Sequence, residues 1–237
     1  MDYADMGGKS PSPFLPLTRD GLVDRVANSL AEAILSGSLQ PGDRLAESTI
    51  AKQMDLSRAP VREALRLLES SGLVDYKANR GFFVHSLSVE ALEHLYELRI
   101  VIETASIRRL IASNHQEAVK ALRAQLDHLH ELSSTGVEMA PHVDADMQFH
   151  RLICHYSGNP RFLQVFDTTA NEIKLSVIYT GRLYADPALI AQTHEPIFDK
   201  IAQGDAEGAV AAMEYHLSDA RRIVTGMFRK NQESKQK

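Results

Sequence analysis

Several things that would settle the class of this chain at once are scarce or missing. One cysteine, Cys154, stands among 237 residues. No internal disulfide can form, so a reducing, cytoplasmic setting is expected. No stretch approaches the roughly 20 apolar residues of a membrane-spanning helix, so no membrane partner is expected. The N-terminal run MDYADMGGKSPSPFLPL carries acids near its start and no long apolar core. It reads as a flexible lead-in over 1–18, not as a secretory signal. Internal repeats and low-complexity segments are absent. With 24% charged and 44% hydrophobic residues the composition is that of an ordinary globular protein, which excludes dominant disorder and fibrous rods. A strong excess of one charge is lacking too. Residues 1–86 hold 10 Lys/Arg against 11 Asp/Glu, and the remainder 16 against 20. Any nucleic-acid reading must therefore rest on a local arrangement of arginines.

Glycine and proline are also sparse after residue 86, and this asymmetry divides the chain. Residues 19–36 place apolar side chains at 22, 23, 26, 30, 34 and 35, a helical spacing that Gly37 stops. A Pro-Gly turn and a short extended piece ending at Leu45 follow. ESTIAKQM predicts a brief helix over 47–54, and Asp55-Leu56 a tight connection. Ser57 then suits the N-cap of a second helix over 58–70, where its hydroxyl can accept a free first-turn N–H. Pro60 falls in that helix's first turn, where its missing N–H matters little. Gly72 ends it. LVDY and GFFV, separated by KANR, read as a hairpin. Helix, helix, turn, helix, hairpin is the order of a winged helix-turn-helix, assigned to 19–86. Beyond it only helices are expected, over about 88–112, 115–133, 139–157, 160–184, 187–203 and 205–230. Short connections make them an antiparallel bundle over 87–230, with a polar tail over 231–237. The fold class is thus mainly α.

The second helix of the pair carries Arg58, Arg62 and Arg66 at i, i+4 and i+8, on one face. Val61, Leu65 and Leu68 lie opposite, suited to packing. A helix whose N-terminal end enters the major groove can aim Arg58 and Arg62 at base edges, where arginine pairs bidentately with guanine. Arg66, two turns in, is placed for a phosphate. The wing tip from Lys77 to Gly81 brings Arg80 to backbone or minor groove. A charged helix face alone is usually only a solvated surface. Its combination with the tight turn and the hairpin points to double-stranded DNA.

Ten histidines are present, and those that interrupt apolar stripes are informative. His85, His115, His128 and His130 read as surface or loop residues. Asp146 and His150, i and i+4, share the stripe of Val143, Met147, Ile153 and Cys154. A carboxylate on a buried face is costly unless paired or coordinated. His216 falls inside the stripe of Met213, Leu217 and Ala220. Thr193 reads as an N-cap that opens a helix at His194. His194 precedes Gly204 by ten residues and His216 follows it by twelve. In an antiparallel hairpin the two therefore lie at nearly one level. Three imidazoles and a carboxylate suit a divalent transition ion such as Zn, Ni, Mn or Fe. His142 shares the register but follows Pro141 at an expected frayed helix start; His155 is a weaker decoy. Cys154 reads as a buried small residue before a redox sensor.

Arg99 lies on one helical face with Leu92, Leu95, Ile102 and Ser106. Either it pairs with Glu103 or Asp146, or it anchors a small carboxylate that bridges to the metal. Thr169, Ser176 and Thr180 break the stripe of Phe162, Phe166 and Ile173, either as satisfied core hydroxyls or as lining for such a ligand.

LSRAPVREALRLLESSGLV followed by NRGFFV resembles the GntR family of bacterial transcription regulators over 19–85. LYELRIVIE, DMQFHRLICHYSGN, THEPIFDKIAQGD and a last helix with His216 are similar to the FCD effector domain of its FadR-like subfamily, in the six-helix VanR-like branch. The resemblance implies operator contacts from Arg58 and Arg62 and a metal held by Asp146, His150, His194 and His216. It further implies a small organic-acid effector and a homodimer on a symmetric operator. Ala59 stands where the family commonly has Thr, and Ser48 where an Arg often adds a base contact, so the operator sequence does not carry over. The function expected is a metal-containing, effector-responsive transcription regulator of repressor type, with DNA contacts from Ser57, Arg58, Arg62, Arg66, Arg80 and Gly81. The alternatives are a helical metalloenzyme, which leaves Arg58, Arg62 and the wing unexplained, and an architectural DNA protein, which the acidic pI opposes.

Overall fold

A computed structural model describes residues 21–113, 116–135, 139–180 and 188–235. The expected lead-in over 1–18 lies outside these residues, as do His115 and the breaks at Asn114 and Asp186-Pro187. The N-terminal unit is α1 (Leu22–Leu35), β1 (Arg44–Leu45), α2 (Glu47–Gln53), α3 (Arg58–Ser70), β2 (Val74–Lys77) and β3 (Gly81–Val84). Its strands form one antiparallel sheet in the order β1-β3-β2, so the short piece ending at Leu45 is a third strand beside the hairpin. Val26, Leu30 and Ile34 of α1 meet Val61, Leu65 and Leu68 of α3 in the core, as their spacing requires. Asp55 adopts a left-handed φ of 53° in the α2–α3 turn, a conformation that a short polar side chain tolerates. Gly72 closes α3 at φ 77°, with Leu73 N–H bonded to Leu68 O and Gly72 N–H to Glu69 O. Ser57 holds the N-cap position in extended conformation, but its hydroxyl makes no capping bond, contrary to expectation.

Six helices follow among the described residues: α4 (Val89–Ala112), α5 (Gln116–Thr135), α6 (Met139–Tyr156), α7 (Pro160–Thr180), α8 (Ala188–Ala202) and α9 (Ala206–Lys235). Ser88 caps α4 by accepting from Ala91 N–H at 3.0 Å. Two expectations fail at α8 and α9. No helix begins at His194: α8 is continuous from Ala188, and the Thr193 hydroxyl donates to Ile190 O instead of capping. The buried residues Ile190, His194, Ile197 and Ile201 carry one stripe through the segment. Pro196 is tolerated inside it because the proline and Gln192, whose carbonyl loses its donor, are both on the exposed side. The last helix runs to Lys235, past the tail expected from 231.

The two units share one core. Leu73, Val84 and Leu87 belong to the same buried cluster as Leu92, Leu95, Phe166 and Val224. Two polar contacts add to it. Asn171 Nδ2 of α7 donates to Ser71 O at 3.0 Å, and His85, paired through Nδ1 with Asp75 at 2.7 Å, turns its Nε2 toward Glu172 at 4.0 Å. His85, in the loop after β3 as expected, is half-buried and lies between the two units. A second cluster, including Ile107, Leu126, Phe149, Ile197 and Met213, fills the far end of the bundle.

Cys154 is fully buried on α6, and burial, reinforced by the nearby Glu103 charge, pushes its thiol up to about 12. The thiolate is the reactive form, so the native thiol should be inert near neutral pH. Iodoacetamide at pH 8 is expected to leave Cys154 unmodified in the folded protein and to alkylate it in guanidinium, read by intact mass. Rapid native labelling would return it to consideration as a redox sensor.

Candidate metal centre and DNA-reading helix

The bundle interior collects what the sequence scattered. Asp146 and His150 project from α6, His194 from α8 and His216 from α9, and one ligand atom from each lies within 4.8 Å of all the others. His150 and His194 are completely buried, and His216 nearly so. Their ring centroids stand 4.5 to 5.2 Å apart.

Hydrogen bonding decides which ring nitrogens are available. His194 Nδ1 lies 2.6 Å from Ile190 O, an acceptor, so Nδ1 carries the proton. His150 Nδ1 lies 2.5 Å from Glu103 Oε2, again an acceptor. With the proton on Nδ1, each ring turns Nε2 inward, and the two Nε2 atoms are 3.2 Å apart. Two lone pairs at that distance repel unless a cation lies between them. Protonating a ring is resisted: burial lowers the pKa of His150, and burial with the neighbouring imidazoles lowers that of His216 well below the usual value. His194 Nε2 is 3.1 Å from Asp146 Oδ1, yet with its proton on Nδ1 it has none to give, and Oδ1 is buried without a hydrogen-bond partner. A carboxylate oxygen without a donor beside converging imidazole lone pairs fits a divalent cation. His142 is fully buried on α6, not frayed, and stands outside the four-residue cluster.

Arg99 and Glu103 of α4 sit beside these ligands, both buried. Arg99 Nε donates to Glu103 Oε1 at 2.7 Å, the pairing that the sequence allowed as one alternative. Burial opposes the charge on each, and their mutual attraction outweighs it: the Glu103 pKa is lowered and that of Arg99 raised. Arg99 Nη2 remains buried without a partner. A cavity of about 20 Å³, room for about one water, is walled by Tyr96, Arg99, Asp146, His150, Ile173 and His216 among others. Ser176 and Thr169 are not among its walls. Their hydroxyls donate to their own helix, Ser176 to Ile173 O and Thr169 to Phe166 O. The Thr180 side chain lies outside the described residues. Tyr96, overlooked in the sequence, stands one turn before Arg99 on the same face, and burial pushes its hydroxyl up to about 12.

At the other end of the molecule Arg58 and Arg62 are exposed near the start of α3, but neither is free. Glu47 at the start of α2 takes both: Arg62 Nη2 at 2.8 Å and Arg58 Nη2 at 3.1 Å from the same Oε2, with Arg62 Nε on Oε1. The Arg62 hydrogen bond is the main reason that the Glu47 pKa is lowered. Arg66 pairs with Glu69 at 2.6 Å and lies 4.1 Å from the Tyr76 ring centroid, so it braces the hairpin against α3. Arg80 rests 5.6 Å from the Phe83 ring. Gly81 at φ 92° follows Asn79 at φ 60°, and nothing lies within 4 Å of where its Cβ would be. Backbone conformation, not space, calls for glycine there. Gly81 and Arg58 share a surface hollow with Arg44, Glu47 and Ser48. Arg44 and Glu47 were not singled out in the sequence, where nothing shows that β1 lies beside the hairpin. Glu47→Gln should strengthen binding to random duplex several-fold at low salt and narrow the preference for a selected operator, because a repulsive charge and a rigid fork are lost together. Unchanged affinities for both duplexes in fluorescence anisotropy would refute this.

Comparison with known proteins agrees with the geometry. Residues 22–84 match the description "Bacterial regulatory proteins, gntR family", and residues 94–219 match "FCD domain". An HTH-type transcriptional regulator of Bacillus subtilis, YdhC, is 29% identical over 81% of this chain and 85% of its own. The gluconate operon transcriptional repressor of the same organism is 24% identical over 92% and 90%. The crystal structure of a GntR regulator from Rhodococcus sp. RHA1 superposes with a TM-score of 0.71 at 27% identity, covering 86% of this chain and 97% of that one. These relatives are transcription regulators, not enzymes, which removes the metalloenzyme alternative. No helix among the described residues is long and apolar enough to cross a membrane. A winged helix with arginines at the head of its second reading helix, joined to six helices around a buried His-Asp cluster, places this chain in the GntR family of bacterial transcription regulators with an FCD domain.

Proposed function

We propose that the protein is a metal-dependent, acid-sensing repressor that works as a homodimer on a symmetric operator. The observation that carries this is the pair of inward Nε2 lone pairs beside the bare Asp146 oxygen. Asp146, His150, His194 and His216 would hold one divalent ion, Zn, Ni, Mn or Fe by donor type. The ion supplies a Lewis-acidic anchor for a carboxylate. Arg99 offers the second anchor through its unpaired Nη2, and Tyr96 a hydroxyl on the same wall. Ser176 lies behind that wall against the Tyr96 hydroxyl, and Thr169 is a further candidate on the same helix.

The cavity as it stands is too small for an organic acid, so entry must displace a wall. Ile173 and Val177 of α7 form part of that wall. Two residues away on the same helix, Asn171 holds the end of α3 through Ser71 O. A shift of α7 would therefore be felt at the reading head. His216 and Ala220 are also shared with a surface groove lined by Thr193, Pro196, Tyr215 and Asp219, which gives the ligand an approach from solvent. At the DNA, Arg58 and Arg62 leave Glu47 for base edges, Arg66 and Arg80 reach phosphates, and Ser57 and Gly81 let the backbone approach.

Elemental mass spectrometry of protein purified without chelator should find about one divalent ion per chain, lost in His216→Ala. A folded wild type that binds DNA and takes up no ion on reconstitution would overturn the metal assignment. Arg62→Ala should weaken operator binding by ~1–3 kcal/mol while random duplex is affected far less. Equal losses on both duplexes would reduce Arg62 to a phosphate contact.

A further inference from the structure

Glu103 is the buried charge that the ligand set does not use. It is 0% exposed, and both its oxygens are engaged: Oε1 by Arg99 Nε and Oε2 by His150 Nδ1. We infer that Glu103 is the positioning residue of the centre, one carboxylate that holds His150 with Nε2 turned to the metal and holds Arg99 beside the same cavity. The inference rests on the metal reading above and adds to it a residue outside the ligand set.

The argument is one of geometry. An imidazole on a helix can rotate about its χ angles and can carry its proton on either nitrogen. Only a strong acceptor at Nδ1 fixes both choices, and a carboxylate does so while raising the basicity of Nε2. His194 obtains its orientation from its own helix, through Ile190 O at 2.6 Å. For His150 the partner of Nδ1 is Glu103, 47 residues away on α4. Glu103 in turn is held in place by Arg99, which lies i−4 from it on the same helix, with the pair sealed from water. The centre therefore contains a chain, Arg99–Glu103–His150, in which the arginine's position and the ligand's position are set by opposite oxygens of one group. Neither asparagine nor glutamine can replace it. A side-chain amide offers one acceptor oxygen for two donors, Arg99 Nε–H and His150 Nδ1–H, and its own N–H₂ would face the loser.

The test is Glu103→Gln beside wild type, with Zn²⁺ affinity measured by chelator competition and the visible spectrum of the Co²⁺ form recorded. Thermal melting of the apo proteins serves as the fold control. Expected are a roughly 10–100-fold loss of Zn²⁺ affinity and an altered Co²⁺ spectrum in a variant that still melts cooperatively. Wild-type affinity and an unchanged spectrum in the variant would overturn the role of Glu103 while leaving the metal reading intact. Wild type that binds neither ion would overturn both. A second measurement needs no variant to fold. In apo wild type labelled with ¹⁵N-histidine, His150, assigned by through-bond correlation, should be the Nδ1–H tautomer. An Nε2–H tautomer would refute the positioning role.

Discussion

Three imidazoles and two carboxylates meet in the interior of a helical bundle, and as they stand they leave Asp146 Oδ1 buried without a hydrogen-bond partner. This constraint organises the effector domain. Proton positions imposed by Glu103 and Ile190 O leave lone pairs facing one another, and Asp146 Oδ1 stands without a donor. A protein interior penalises each such group by about 1–3 kcal/mol, more when charged. Four helices must therefore be held in register around a centre whose unpaired groups a positive charge would complete. The buried Arg99–Glu103 pair offsets part of its desolvation through its own 2.7 Å bond and the second bond of Glu103 to His150. Removing one partner of such a pair typically costs about 3–5 kcal/mol.

The surroundings of the centre connect it to the head. The helix that closes the cavity with Ile173 and Val177 touches the DNA-binding unit with Asn171 and Glu172. Gly72, where α3 ends, faces Glu172: a Cβ there would come within 3.2 Å of Glu172 Cγ. α7 thus touches both the DNA-binding unit and the walls of the buried cavity. Their shared buried cluster gives that element few independent ways to move. At the DNA face the same economy is visible on a smaller scale. Glu47 keeps two exposed arginines in one place, so their fork is organised before any base is met.

Much of this was legible beforehand, for particular reasons. α3 was readable to the residue because Ser57, Pro60 and Gly72 punctuate it and Val61, Leu65 and Leu68 repeat at helical spacing. The hairpin was readable because KANR separates two β-prone runs. Asp146 and His150 stood out as polar groups on an apolar stripe, and His194 and His216 by their comparable distances from Gly204. Other features left weaker traces. Thr193 looks like a cap, yet the apolar stripe from Ile190 to Ile201 keeps the helix intact around it. Thr169 and Ser176 look like lining, yet each hydroxyl is satisfied one turn back on its own helix. Glu47 and Arg44 carry no local pattern at all.

What the sequence determined by itself is whatever depends on neighbours along the chain: periodicity, caps, turns, and the faces on which the arginines and the ligands lie. Those follow from backbone geometry, which repeats every few residues. What only the tertiary structure decided is that His150 turns its Nε2 inward, that Glu103 contacts His150 as well as Arg99, and that Glu47 holds Arg58 and Arg62. Each of these is a contact between helices, His150 with Glu103 across 47 residues and Arg62 with Glu47 across 15. Such pairings are set by how helices pack, and helix packing is settled by the whole core at once.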